Sequence, residues 1–178
     1  MVNLDYVRMY ARQAHAGQVL KYTGEDYVEH CYAVGQLYQS WCVEMNQSAL
    51  YAAILHDTVE DTQVTMREIQ HQFGDRVAEN VWYLTKPEDF VGDRAQRKAL
   101  DGARLALAPE VVRFVKIIDI MHNARSIREH DPMKWSTWRV EMIKLLDTMK
   151  AESVWRSQAG HWAQRKYKEF IAELIDGL

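Results

Sequence analysis

The chain has 178 residues, 48% of them hydrophobic, 26% charged and 11% aromatic, with a formal charge of −3. At this length one domain is the default, and roughly 70% of the unfolded surface can be buried without covalent staples. The two cysteines are too few for a disulfide framework, no apolar run reaches the length of a membrane span, and the acidic balance argues against nucleic-acid coating. A cytoplasmic protein is expected.

The punctuation predicts short amphipathic helices throughout, with no run of period-two alternation to suggest strands. The first helix carries Leu4, Val7, Tyr10, Ala11 and Ala14 on one stripe and stops near Gly17. A polar loop over Lys21 to Asp26 leads to a second helix from about Tyr27, which places His30, Val34, Leu37 and Trp41 on one face. His30 is therefore expected to point inward. A third helix with Leu50, Ala53 and Ile54 ends at His56-Asp57. Thr65 and Glu68 form a capping box, Gly74 closes the helix that follows, and Val77, Val81 and Leu84 carry the next stripe.

After a loop from Pro87 to Gly92, a mostly polar helix is expected over Asp93 to Leu107. Pro109 suits the start of another helix, on which Val112, Val115, Asp119, His122 and Asn123 share a face. Two last helices begin after Pro132 and near Ala151, the second reaching through Trp155, Trp162, Phe170 and Leu174. Their tryptophans sit at core spacing and read as packing. His15, His71 and His161 fall in polar stretches and read as surface residues, and Cys31 and Cys42 as fillers on a helix rich in apolar residues.

Inward-looking His30, His56-Asp57 and Asp119 need partners, because an isolated buried carboxylate is costly. Two histidines and two carboxylates from separate helices make a mixed nitrogen and oxygen set, suited to Mn²⁺, Fe²⁺ or similar ions rather than to structural zinc. The His-Asp dipeptide alone is cheap, since His130-Asp131 repeats it in front of Pro132, where it reads as a turn and a helix start. The setting separates the two: His56-Asp57 follows the apolar Tyr51-Ala52-Ala53-Ile54-Leu55, and residues 56–61 hold four ionisable side chains. Phosphate-loop, dinucleotide-binding, nucleophile-elbow and H-E-x-x-H signatures are all absent.

Ordered stretches then match a known pattern. They are Ala14-His15-Ala16-Gly17-Gln18, Lys21-x-x-Gly24-Glu25-x-Tyr27-x-x-His30, and Ala52 through Thr62. Thr65-x-x-Glu68-Ile69, Phe73-Gly74, Leu84-Thr85-Lys86 and Val115-Lys116-Ile117-x-Asp119-x-x-His122-Asn123-x-Arg125 follow in the same order. The sequence resembles the HD-domain hydrolases of the RelA/SpoT-homologue family, specifically the small alarmone hydrolases.

That resemblance implies an all-α, single HD-domain helical fold over residues 1–178, with a motif-bearing core at about 8–128 and C-terminal helices at about 133–176. It implies one Mn²⁺ held by His30, His56, Asp57 and Asp119, and Glu60 with Asp61 as the catalytic acid and base pair. The implied reaction is hydrolysis of the 3′-pyrophosphate of (p)ppGpp to GDP or GTP and pyrophosphate, with Lys21, Tyr22, Lys116, Asn123 and Arg125 contacting the nucleotide. Alarmone synthesis is not expected from a chain of this length, and whether it forms a homo-oligomer is left open.

The chain departs from the family at Leu20, where an arginine commonly packs on the guanine base, with Tyr22 the candidate substitute. Cys31 and Asp26 stand where prolines are usual. Leu20 keeps open an HD phosphohydrolase acting on another nucleotide, such as NADPH or a nucleoside phosphate. A non-catalytic, antitoxin-like nucleotide-binding module is the remaining alternative, against which the Glu60-Asp61 pair speaks.

Overall fold

A computed structural model describes residues 2–86 and 92–176. Eleven helices are present among them, and no strand; two isolated β-bridges, Val19 with Asp26 and Cys42 with Ala159, are the extended pairings. The expected all-helical class is what is observed. Among the described residues, no helix is long and apolar enough to cross a membrane. The loop expected over 87–92 lies, apart from Gly92, outside the described residues.

The chain divides into two compact units, residues 1–40 with 45–86, and residues 41–44 with 87–178. The first holds α1 (Leu4–Ala14), α2 (Val28–Trp41) up to Ser40, α3 (Gln47–Leu55), α4 (Thr58–Asp61), α5 (Met66–Phe73) and α6 (Asp75–Leu84). Side-chain caps start several of them: Asn3 accepts from the Tyr6 amide, Asn46 accepts from the Ala49 amide, and the Thr65–Glu68 capping box opens α5 as expected. The centre of this unit is α3, whose residues 49–55 are all buried. Such a helix needs apolar neighbours on every side, and α1 and α6 pack against it. On α2, Tyr38 is fully buried, whereas Leu37 of the expected stripe is only half-buried.

The second unit holds α7 (Arg94–Ala106), α8 (Glu110–His130), α9 (Pro132–Thr148), α10 (Ala151–Gln158) and α11 (His161–Ile175). Trp155 is its anchor: 2% exposed, stacked on Tyr167 with ring centroids 4.8 Å apart, against Phe114 at 4.8 Å and Trp41 at 5.7 Å. Its indole N–H donates to the Ala163 carbonyl. Trp135 and Trp138 are half-buried and stack on each other, and Trp162 is exposed with its edge on Trp41.

The single helix expected from Ala151 onward is two helices. Ala159 is extended and bridged to Cys42, the Val43 amide donates to the Gln158 carbonyl, and the Gly160 amide donates to the Trp41 carbonyl. This strand-like pairing with residues 41–43 competes with helical bonding where glycine already weakens the helix.

Candidate functional site

In the first unit, α2 carries His30 in its first turn, and α3 ends at His56, with Asp57 opening the short α4. His30 and His56 are buried, at 3% and 1% exposure. The His56 Nδ1–H donates to the Ala53 carbonyl at 2.9 Å, so in the neutral ring Nε2 carries the lone pair. That Nε2 lies 3.0 Å from Asp57 Oδ2 and 3.3 Å from His30 Nε2, and His30 Nε2 lies 3.6 Å from the same carboxylate oxygen.

Electron-pair donors packed this closely repel unless a cation or proton lies among them. One ligand atom from each of His30, His56 and Asp57 falls within 4.8 Å of the others, and the backbone bond of His56 fixes its ring as metal-binding histidines require. The donor set therefore fits a divalent cation. Of the four ligands expected, these three are brought together. Asp119 belongs to the second unit, where it is 5% exposed and its two oxygens accept from Lys116 Nζ at 2.8 Å and Asn123 Nδ2 at 2.6 Å.

Tyr27, which the local pattern did not single out, holds the next layer. Its phenol donates to Asp57 Oδ2 at 2.7 Å and lies 3.1 Å from Asp61 Oδ2. Burial, then the charge of Asp57, pushes the phenol far above its ordinary pKa, so it remains a donor. The Asp61 carboxyl is also raised, by burial first and by the Asp57 charge second, against the opposing hydrogen bond from Tyr27. Glu60 turns elsewhere: Lys86 meets it with both its backbone amide and its ammonium group. Lys86 entered the sequence reading only within the matched Leu84-Thr85-Lys86 stretch, and only the fold pairs it with Glu60.

His15 corrects an expectation. It is 2% exposed, its Nδ1 bonds Gln18 Oε1 at 2.7 Å, and its ring lies on Tyr27 with centroids 5.0 Å apart. A polar neighbourhood in sequence misled because the turn after α1 folds the imidazole back into the unit. His71 and His161 are exposed as expected.

Among the expected nucleotide contacts, Lys21 places Nζ over the Tyr22 ring, 4.7 Å from its centroid. Arg125 is exposed on α8. The control dipeptide behaves as expected: His130 is exposed at the end of α8, and Asp131 caps α9 by accepting from the Lys134 amide.

The model of the HD domain family matches residues 8–146, a span that includes His30, His56, Asp57, Glu60, Asp61 and Asp119. The chain belongs to the HD domain family. This HD domain is 33% identical over 138 residues to a probable GTP pyrophosphokinase of Mycobacterium leprae, covering 76% of this chain and 17% of that protein. It is 31% identical over 115 residues to the guanosine-3′,5′-bis(diphosphate) 3′-pyrophosphohydrolase MESH1 of Xenopus tropicalis, covering 65% of this chain and 63% of that protein. The chain thus spans about a sixth of the long relative and under two thirds of the short one. The solved structure of a metazoan ortholog of SpoT, a protein that hydrolyses ppGpp, superimposes with a TM-score of 0.80 at 22% identity, over 100% of this chain and 99% of that one. That likeness shows the fold.

Proposed function

We propose that this HD domain is a Mn²⁺-dependent (p)ppGpp 3′-pyrophosphohydrolase of the cytoplasm, with residues 1–178 acting as one hydrolase domain. The observation that carries the reading is the His30, His56 and Asp57 cluster joined through the Tyr27 phenol to Asp61. The names of the relatives support the nucleotide. Asp119 is proposed as the fourth ligand. A divalent ion, when bound, lowers the pKa of its water and polarises a phosphoryl oxygen.

The remaining work falls to side chains. Asp61, its carboxyl raised, accepts the proton of the attacking water as the bond from the ribose 3′-oxygen to phosphorus breaks. At the leaving side the ribose 3′-oxygen takes up a proton from Glu60, the acid of the pair, which Lys86 hydrogen-bonds. Lys21, Tyr22 and Arg125 contact the nucleotide together with Lys116 and Asn123. Lys116 also holds Asp119 through its ammonium group.

The test is purified protein with Mn²⁺ against ppGpp, pppGpp, NADPH and nucleoside phosphates, with phosphate and pyrophosphate scored separately. Pyrophosphate with GDP or GTP is expected, and Glu60→Gln and Asp61→Asn should each lose most turnover while keeping the fold and the metal. Orthophosphate from NADPH with no pyrophosphate from ppGpp would overturn the substrate. Binding without turnover of any of them would make the chain a nucleotide-binding module.

A further inference from the structure

Asp61 ends a helix of four residues, Thr58–Asp61, too short to hold its own conformation, because helix nucleation is unfavourable and only long helices repay it. Within that helix its amide donates to the Asp57 carbonyl at 2.9 Å. The other bonds on Asp61 come from the turn between α1 and α2. Gln18 Nε2 donates to the Asp61 carbonyl at 2.5 Å, and the Tyr27 phenol reaches its carboxylate.

These two side chains are themselves fixed. Gln18 Oε1 accepts from the buried His15, which sets the amide so that its NH₂ faces Asp61. The Tyr27 amide donates to the Gln18 carbonyl at 2.9 Å, and Gly17, at φ +81°, makes the turn that aims Gln18 back at α4. Two donors on one tied frame thus grip one residue, one at its main chain and one at its side chain.

We propose that Gln18, oriented by His15, and Tyr27 are positioning residues that set the Asp61 carboxylate against the His30, His56 and Asp57 cluster. This rests on the reading of Asp61 as the proton acceptor. Gln18 acts on Asp61 alone, whereas Tyr27 also holds the ligand oxygen of Asp57. The two therefore have different signatures. Removing the Gln18 donor changes turnover and leaves metal binding intact; removing the Tyr27 hydroxyl weakens both.

The experiment compares Gln18→Ala, Gln18→Glu, Tyr27→Phe, Asp61→Asn and the Gln18→Ala, Asp61→Asn double variant. Each is measured for Mn²⁺ affinity by calorimetry, melting temperature, and kcat and KM on ppGpp. Gln18→Glu keeps the shape and the acceptor for His15 but has no donor for Asp61, so it serves if the alanine variant folds poorly. Gln18 variants should lower kcat by about ten-fold or more through misplacement of the acceptor, with KM and Mn²⁺ affinity near wild type. Tyr27→Phe should lower kcat and weaken Mn²⁺ binding by about ten-fold or more, the usual cost of losing a group that orients a ligand. The double variant should be no slower than Asp61→Asn.

Wild-type kcat in both Gln18 variants, with Asp61→Asn inactive, would overturn the positioning role, as would a further loss in the double variant. Full turnover in Asp61→Asn would instead remove the reading of Asp61 on which the role depends.

Discussion

Three groups crowd one oxygen, Oδ2 of Asp57: two imidazole nitrogens and a phenol, at 2.7 to 3.6 Å. Sequence spacing marked the histidines and the carboxylate, since each ends or faces a helix at an inward position. Tyr27 escaped because its partners lie 30 and 34 residues away, and a phenol near a helix start is unremarkable until the fold brings carboxylates to it. Leu20 stands where the resemblance implied an arginine. Its backbone is committed to the turn, accepting from Gly24 and donating to Glu25, so its side chain can change without loss of local structure. Leu20→Arg should lower KM for ppGpp with little change in kcat, by no more than the 1 to 2 kcal/mol, about, that a desolvated cation stack contributes. Tyr22→Ala should raise KM. Unchanged steady-state kinetics with ppGpp in both variants would show that neither position touches the base.

At the level of elements, α2 and α3 meet at Gly35, where an added Cβ would lie 2.7 Å from Ile54 Cγ1. Ile54 is buried on all sides and cannot move away cheaply. Gly35→Ala should therefore destabilise by about 1 to 3 kcal/mol, read from urea denaturation, and an unchanged midpoint would mean that the helices separate freely. In the second unit, α7 and α9 are joined by a two-point bond from Arg94 to Glu141, at 2.6 and 3.0 Å. The Arg94 hydrogen bond holds the Glu141 carboxyl below its ordinary value. Its contribution is therefore present above the unfolded carboxylate pKa and is lost as pH falls through the lower folded one. Glu141→Gln should cost at most about 1 kcal/mol at pH 7, because Arg94 is largely exposed, and nothing measurable in strong acid. A cost that persists in acid would assign it to packing.

Over the whole molecule, a cation bound only by the folded state stabilises it by linkage, by about 2.7 kcal/mol at a hundred times its Kd. Mn²⁺ should raise the melting temperature by several degrees, His56→Ala should abolish the rise, and a chelator should reverse it. His130→Ala with Asp131→Ala should keep the full shift while lowering the baseline, because Asp131 caps α9 and a lost cap costs about 1 kcal/mol. A missing shift in that variant would put the metal at the wrong dipeptide.

The sequence by itself determined the helical class, the caps at Thr65 and Asp131, and the inward positions of His30, His56 and Asp119, because each is a local matter of periodicity or hydrogen-bonding chemistry within a few residues. Tertiary structure decided the rest. Residues 41–43 cut the last expected helix in two at Ala159, Lys86 met Glu60, and His15 was buried against Tyr27. Each of these depends on segments distant in the chain, whose pairing energy exceeds a local preference of only a few tenths of a kcal/mol per residue, about, and leaves no periodic trace for a sequence to display.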